Sequence, residues 1–259
     1  MASVSIRPVR TRRELKRFVK VPFRLHRESP QWVPPLIFER MQFLDRKKNP
    51  WFEHGEAEYL IAERDGEPVG RITAQIDELW DETQGGSDAM FGFFETVDDP
   101  AVAAALLDAA TEWAAARGRS RILGPMDFTT NDEVGILIEG HELAPMILEN
   151  WHPPYYRDLL QAHGFGRAMD LLMWELELGS LKQGDRFDPA IHAAAEKALH
   201  DEGVTIRKIS MRNLAEEMRH FSQVYNDAWS DNWGFVPATD AEIEFHAKTL
   251  KQVIDVDWA

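Results

Sequence analysis

Apolar and polar residues alternate along two segments in the first half of the chain, residues 57–64 and 68–77. An alternation with period two is typical of strands with one buried face. Asp65-Gly66 separates the two segments and is a strong signal for a two-residue hairpin turn. Residues 90–96 are also predicted to form a strand. We therefore predict a three-stranded antiparallel meander, with the glycine-containing segment 77–89 as a loop.

Helical spacing of apolar residues appears on both sides of this meander. After a predicted strand at residues 4–10, Thr11 and Glu14 form a capping-box pattern that opens a helix. Pro22 is expected to end or kink that helix. A short helix at residues 37–45 and a longer one at residues 100–117 are also predicted. A short buried strand follows at residues 121–124.

The segment 153–178 predicts a helix, a glycine stop and a strand. Pro153 and Pro154 fit a first helical turn, where backbone N–H groups have no helical partner to lose. Gly164 lies where a left-handed C-cap is favoured, and Phe165 can pack back onto the last turn. Residues 169–178 then read as a strand.

This arrangement resembles the end of the GNAT fold of acyl-CoA-dependent N-acyltransferases. The resemblance extends over residues 57–178. The amino-acid sequence also resembles that of a bacterial group of GNAT-like proteins with two such domains. The family implies an α/β fold with a mixed sheet. It also implies acyl-CoA, with an acetyl or longer acyl group, as co-substrate and an amine as acceptor.

A weak internal repeat suggests a second domain. Residues 205–209 echo residues 5–9, and a helix that carries Leu214, Met218, Phe221 and Tyr225 follows the second copy. We therefore predict a GNAT-like domain at residues 1–178, a linker and helix at 179–203, and the truncated start of a second GNAT-like domain at 204–259. On this interpretation the chain is a fragment, or its second domain has degenerated.

Composition and charge narrow the range of possible functions. The net charge of −15 argues against general nucleic-acid binding, and the absence of cysteine excludes a thiolate nucleophile and a Cys-ligated metal. No signal-peptide pattern and no apolar run of membrane-spanning length is found, so a cytoplasmic location is expected. The segment from Arg10 to Arg27 is strongly basic. It is either a solvated helix face or a contact for an anionic partner, a CoA phosphate or a peripheral membrane surface. The oligomeric state is not predicted.

The resemblance assigns roles near two tyrosines and one glutamate. Tyr155 and Tyr156 are candidates for the acid that protonates the leaving thiolate, and Glu95 ends the strand where a base lies in GNAT enzymes. The alternatives are aromatic packing for the tyrosines and surface exposure for Glu95. The turn at residues 96–101 departs from the family, because it has no glycine, lysine or arginine and contains Asp98 and Asp99. No cofactor-binding residue is therefore predicted, and Asp99 also fits an ordinary N-cap.

A polar cluster that contains Asn131, Asp132 and Glu133, together with several aromatic residues, completes the set of candidate site residues. Asp132 or Glu133 could take a proton from an amine if burial raised its pKa, or the cluster could be a solvated loop. Predicted substrate-binding residues are Asn131, Trp151, His152, Phe93 and Phe94, since an aromatic lining suits a long acyl chain.

Three functions stay open at this point. The first is an acyl-CoA-dependent N-acyltransferase acting on an amine, with a slight preference for a lipid amine. The second is a degenerate GNAT-like domain that serves as a scaffold for substrate binding or interaction. The third and weakest is a metal-dependent nucleotide pyrophosphohydrolase that uses Asp132, Glu133 and Glu139. No metal is expected for the first two.

Overall fold

The computed structural model describes residues 3–146, 148–174, 189–205 and 207–250 of the 259-residue chain. A five-stranded sheet lies at its centre, with the strands side by side in sequence order. They are β1 (Ser5–Pro8), β2 (Gly55–Arg64), β3 (Glu67–Asp77), β4 (Asp88–Thr96) and β5 (Arg121–Leu123). The first four strands are antiparallel and β5 pairs with β4 in parallel. This mixed sheet confirms the predicted α/β class.

Eight α-helices surround the sheet within the described residues. They are α1 (Arg12–Leu25), α2 (Ile37–Phe43), α3 (Glu78–Gln84), α4 (Pro100–Ala115), α5 (Tyr155–Ala162), α6 (Pro189–Glu196), α7 (Leu214–Trp229) and α8 (Asp240–Leu250). Short 3₁₀ turns at Pro50–Glu53 and Met211–Asn213 and a π-helical turn at Lys197–Asp201 complete the described elements. None of these helices combines the length and the apolar character needed to cross a bilayer.

Strand alternation divides the core into two layers. In β2, Leu60 and Ala62 face α4 and α5, whereas Tyr59 and Ile61 face α1 and α2. The predicted hairpin turn is confirmed, because Asp65 and Gly66 both have positive φ, 54° and 82°, as a type I′ turn requires.

A bulge interrupts β4 at Phe93, whose φ is 47°. The pairing with β3 jumps there from Arg71 opposite Glu95 to Thr73 opposite Gly92. The extra residue turns Phe93 towards α1 and α2, while Phe94 stays in the layer of α4 and α5. Both aromatic rings are buried core residues.

Pro22 does not end α1, which was one of the two outcomes that the sequence predicted for it. The helix continues to Leu25, and the Arg71 guanidinium donates to the Phe18 carbonyl oxygen across 3.3 Å. That carbonyl is the acceptor that a residue with an N–H at position 22 would use. The tertiary contact therefore replaces the helical hydrogen bond that proline removes.

The predicted loop at residues 77–89 was also wrong, because it contains α3. The Asp77 side chain caps this helix by accepting from the Leu79 N–H at 2.9 Å, and Gly85 ends it in the left-handed conformation. Trp80 anchors the helix in a third small core with Met90, Met126 and Val236.

Two predicted strands are not formed. Residues 169–174 are irregular, and Trp174 is 87% exposed because no described strand lies beside it; the rest of that prediction, 175–178, falls outside the described residues. Residues 205 and 207–209, which echo the residues of the first strand, form no strand either, and Arg207 pairs with Glu217 of α7. The predicted linker at 179–186 lies outside the described residues. The domain boundaries stay predictions.

Candidate active site

A buried polar cluster lies at the end of β4 and is centred on Glu95. One carboxylate oxygen, Oε2, is 2.6 Å from His26 Nε2 and accepts from the Tyr156 hydroxyl at 2.7 Å. The other, Oε1, is 3.5 Å from Arg71 Nη2. All four side chains are buried. The structure thus brings together two sequence-predicted residues, Glu95 and Tyr156, with two that were not predicted, His26 and Arg71.

Local structure explains these positions. His26 is the C-cap of α1, and its backbone N–H donates to the Pro22 carbonyl oxygen at 2.8 Å. Tyr156 lies in the first turn of α5, after the two prolines as predicted. Its hydroxyl accepts from the Thr96 backbone N–H at 3.0 Å. The ends of two helices and one strand therefore meet at a single carboxylate.

Charges around Glu95 keep it ionised. Burial alone would raise the pKa of Glu95, but the hydrogen bond with His26 and the positive charge of Arg71 lower it to about 2. Burial and the neighbouring Glu95 carboxylate raise the pKa of Tyr156 well above its usual value. Burial lowers the pKa of Arg71. A fixed anion thus lies next to a tyrosine that holds its proton firmly.

Aromatic rings surround His26. The ring centroids of Trp32 and Trp151 lie 5.4 and 5.7 Å from the His26 centroid, and the Tyr156 ring lies at 6.4 Å. Within the described residues, His26 Nδ1 is buried and has no hydrogen-bond partner. Since the opposite nitrogen is bound to Glu95, a proton on Nε2 leaves Nδ1 as a free base.

Other predicted residues line the same region. The His152 ring is 5.2 Å from that of Tyr156, and burial lowers the pKa of His152 to about 4, so it is a neutral neighbour. Trp151 Nε1 donates to the His141 carbonyl oxygen at 2.9 Å. The Tyr155 hydroxyl donates to the Thr96 carbonyl oxygen at 2.9 Å, and burial raises its pKa to about 12. The two tyrosine hydroxyls therefore hydrogen-bond to the backbone N–H and to the carbonyl oxygen of Thr96.

The β4 bulge also has a polar partner. Asp127 Oδ1 accepts from the Phe93 N–H at 2.7 Å, and the Met126 N–H donates to the Phe91 carbonyl oxygen at 2.7 Å. Gly92 permits this approach, because a Cβ there would lie 1.8 Å from the Met126 carbonyl oxygen. Burial, and then the charge of Glu133, raises the pKa of Asp127 to about 7.

The remaining predicted polar residues bind protein groups near this bulge. Glu133 pairs with Arg40, Asp132 accepts from the Thr129 hydroxyl at 3.2 Å, and Asn131 accepts from the Tyr225 hydroxyl at 2.6 Å. Burial raises the pKa of Asp132 well above its usual value. Across the part of the chain that the structure describes, no three acidic or histidine side chains form a group that could hold a metal ion.

The first turn of α4 does not present the phosphate-binding loop of the GNAT pattern. The Asp99 carboxylate accepts from the Ala101 N–H at 2.8 Å and receives a hydrogen bond from Arg64 at 2.6 Å. A carboxylate therefore occupies the helix N-terminus where a pyrophosphate would bind, and Pro100 lacks an N–H. These residues do not fit a CoA pyrophosphate at this position.

Two curated relatives align with nearly the whole chain. Bacterial ceramide synthase from Caulobacter vibrioides is 41% identical over 255 residues, which are 98% of this chain and 65% of that protein. Protein YghO from Escherichia coli is 36% identical over 252 residues, which are 97% of this chain and 63% of that protein. The chain thus spans just under two thirds of the length of these relatives. No family model matches it.

The solved structures that resemble the chain have much lower sequence identity to it than these relatives have. A tandem GNAT protein from the clavulanic acid biosynthesis pathway superposes with a TM-score of 0.42 at 15% identity, over 62% of this chain and 43% of that chain. An aminoglycoside N-acetyltransferase, AAC(6′)-Iy, in complex with CoA has a TM-score of 0.41 at 15% identity, over 68% of this chain and 96% of that chain.

The described strands lie in the sheet in the order in which they occur in the chain. Four antiparallel strands are followed by a helix and a parallel fifth strand, and α5 packs on the same face as α4. The pairing of β4 with β5 ends at Met90 and Leu123, and the bulge in β4 at Phe93 follows shortly after that point. The described residues therefore form the mixed α/β sheet that the resemblance implied.

Proposed function

We propose that this chain forms part of an acyltransferase that moves an acyl group from the thioester of acyl-CoA to the amine of a lipid. The observation that carries the proposal is the buried His26–Glu95 pair, with the free Nδ1 of His26 inside an aromatic enclosure. The name of the Caulobacter relative supports a lipid amine, since a ceramide is the N-acyl amide of a long-chain amino alcohol.

In this proposal His26 is the general base and Glu95 positions it. The amine nitrogen forms a bond to the thioester carbonyl carbon and the carbon–sulfur bond breaks. The proton of the amine passes to His26 Nδ1, while Glu95 stabilises the resulting imidazolium through Nε2. The sequence predicted Glu95 itself as the base. Its low pKa of about 2 makes it a weak proton acceptor, which favours the positioning role.

The tyrosines supply the acid. Tyr156 is fully buried and hydrogen-bonded to Glu95, whereas the Tyr155 hydroxyl is on the less buried of the two side chains. The family resemblance implies that a tyrosine hydroxyl protonates the leaving thiolate, and Tyr155 suits this role better, because Tyr156 is fully buried and its hydroxyl donates to Glu95. Trp32 and Trp151 cover His26, so a substrate amine reaches Nδ1 only when one of these rings moves aside.

The Asp99 cap favours a second candidate, a scaffold without acyltransferase chemistry. With a carboxylate at the N-terminus of α4, the usual anchor for the CoA pyrophosphate is missing from this position. A scaffold would keep the His26–Glu95 pair as a structural contact. The two candidates differ in whether His26 is needed for turnover.

The test compares amide formation by the full chain and its His26→Gln and Glu95→Gln variants. Palmitoyl-CoA is the donor and a long-chain amino alcohol is the acceptor. Removing a general base should lower kcat by about 10² or more. His200→Gln is the matched control, since that side chain is exposed on the π-helical turn. An active protein in which folded His26→Gln keeps more than half of the wild-type rate would contradict the assignment, and an inactive folded wild type would favour the scaffold.

A further inference from the structure

The outer face of α1 carries a stripe of unpaired positive charge. Arg13, Lys16 and Lys20 are exposed, and among the described residues they have no carboxylate partner. Arg24 continues the stripe and pairs with Glu67. At 1.5 Å per residue the stripe extends for roughly 16 Å along the helix. This face lies opposite the side that packs Phe18, Val19 and Pro22 into the core.

The nearby carboxylates do not neutralise the stripe. Glu14 accepts hydrogen bonds from the backbone N–H groups of Arg10 and Thr11 in the capping box. Glu63 pairs with Arg7 and Arg17, and Glu28 is exposed beyond the end of the helix. Together with the exposed Arg12, four cations on one helix therefore have no carboxylate partner among the described residues, in a chain whose net charge is −15. Such a local excess attracts an anionic partner.

Exposed apolar side chains lie in the same layer. Helices α1 and α2 both pack on one face of the sheet, through Phe18 of α1 and through Ile37 and Phe43 of α2. At the start of α2, Leu36 and Phe38 are 62% and 56% exposed. Exposed apolar groups in the same helix layer as a row of cations are typical of surfaces that lie in a membrane interface.

We propose that the outer face of the α1–α2 layer binds an anionic lipid bilayer. The cations form a line along a shallow groove rather than converging on one point, which matches an extended charged surface better than a single phosphate group. Leu36 and Phe38 enter the headgroup region. This inference concerns where the protein works and does not depend on the proposed chemistry at His26.

The test measures binding to sedimented vesicles. The wild-type chain should bind vesicles of phosphatidylcholine with about a third phosphatidylglycerol, and should bind pure phosphatidylcholine vesicles at least tenfold more weakly. The triple variant Arg13→Gln, Lys16→Gln, Lys20→Gln should lose at least tenfold in partitioning to the anionic vesicles. The matched control is Arg157→Gln, Arg212→Gln, Arg219→Gln, which removes the same charge from exposed positions outside α1 and α2. Phe38→Ser should weaken binding at high salt, where the apolar contribution dominates.

Three results would overturn the proposal. Equal partitioning of the stripe variant and the control would show that the stripe is not the contact. Equal wild-type binding to neutral and anionic vesicles would remove the electrostatic argument. Weaker binding of coenzyme A or of nucleic acid by the stripe variant, with vesicle binding unchanged, would assign the stripe to that ligand instead. Circular dichroism of each variant, compared with wild type, confirms that the fold is intact.

Discussion

The Arg71 guanidinium donates to the Phe18 carbonyl oxygen, which Pro22 leaves without a helical donor. The same guanidinium lies 3.5 Å from Glu95 Oε1. One buried cation therefore completes the hydrogen bonding of α1 and faces the carboxylate that holds His26. The stability of the helix and the geometry of the candidate site are coupled through this side chain.

We expect this coupling to appear in a double-mutant cycle. Arg71→Met should lower the free energy of unfolding by about 3 kcal/mol, because it leaves Glu95 without its buried cation and the Phe18 oxygen without a donor. In a Pro22→Ala background the restored N–H can serve that oxygen, so the loss should shrink by about 1 kcal/mol. Urea denaturation monitored by tryptophan fluorescence measures both values.

The control for this cycle is Pro100→Ala. Pro100 lies in the first turn of α4, where its missing N–H has no acceptor to serve. Its effect should simply add to that of Arg71→Met. Additivity in the Pro22→Ala background as well would mean that the Arg71–Phe18 hydrogen bond contributes nothing to stability.

The pH dependence of stability should show two separate windows. His152 has a folded pKa of about 4, below its unfolded value of about 6.5, so the unfolded chain binds more protons between these values. Stability should therefore fall as the pH is lowered from 6.5 to 4. Glu95 has a folded pKa of about 2, below its unfolded value of about 4.5, and its contribution should be lost between pH 4.5 and 2.

Two variants separate these windows. His152→Gln should remove the dependence of the unfolding free energy on pH between pH 6.5 and 4. Glu95→Gln should remove the dependence below pH 4.5. Each change should amount to up to about 3 kcal/mol across its window. Urea midpoints measured across the pH range give the slopes. If Glu95→Gln changed the slope above pH 5 instead, the assignment of the low pKa to Glu95 would be wrong.

Local signals in the sequence were enough for the meander, the capping box at Thr11, the long helix after Asp99 and the glycine stop at Gly164. Each depends on residues close together in the chain. The continuation of α1 through Pro22 was not predictable in this way, because Arg71 comes from a strand 49 positions later in the sequence. The strand predicted at residues 169–178 had a suitable pattern but no described neighbour to pair with.

The same difference between local sequence signals and contacts of residues far apart in the chain applies to the site. Glu95 and Tyr156 were proposed through a family resemblance, and the structure brings them into contact. His26 was missed, although Phe18, Pro22 and His26 share one helical face at spacings of four residues. A polar residue continuing a buried apolar face was the available signal. Substrate binding by Asn131 stays a prediction; in the structure Asn131 hydrogen-bonds to the Tyr225 hydroxyl and to the Val236 carbonyl oxygen.

Gly92 should not tolerate a side chain. A Cβ at this position would lie 1.8 Å from the Met126 carbonyl oxygen, so Gly92→Ala must separate the 126–127 backbone from β4. The hydrogen bonds from Met126 to Phe91 and from Phe93 to Asp127 would be strained or lost. We expect a loss of about 3 kcal/mol in the free energy of unfolding. Gly166→Ala is the control, since no atom lies within 4 Å of its Cβ position, and it should change stability by less than about 0.5 kcal/mol.

Asp127 should destabilise the folded protein as the pH rises, the reverse of Glu95. Its folded pKa of about 7 exceeds its unfolded value of about 3.9, so the folded chain binds more protons between these values and stability falls as the pH rises from 4 to 7. Asp127→Asn keeps an acceptor for the Phe93 N–H and removes the charge. The variant should match wild type near pH 5 and exceed its unfolding free energy by about 2–3 kcal/mol at pH 8. The exposed Asp158→Asn variant controls for the loss of one negative charge. An unchanged difference between wild type and Asp127→Asn from pH 5 to pH 8 would show that Arg40 fully stabilises an ionised Asp127.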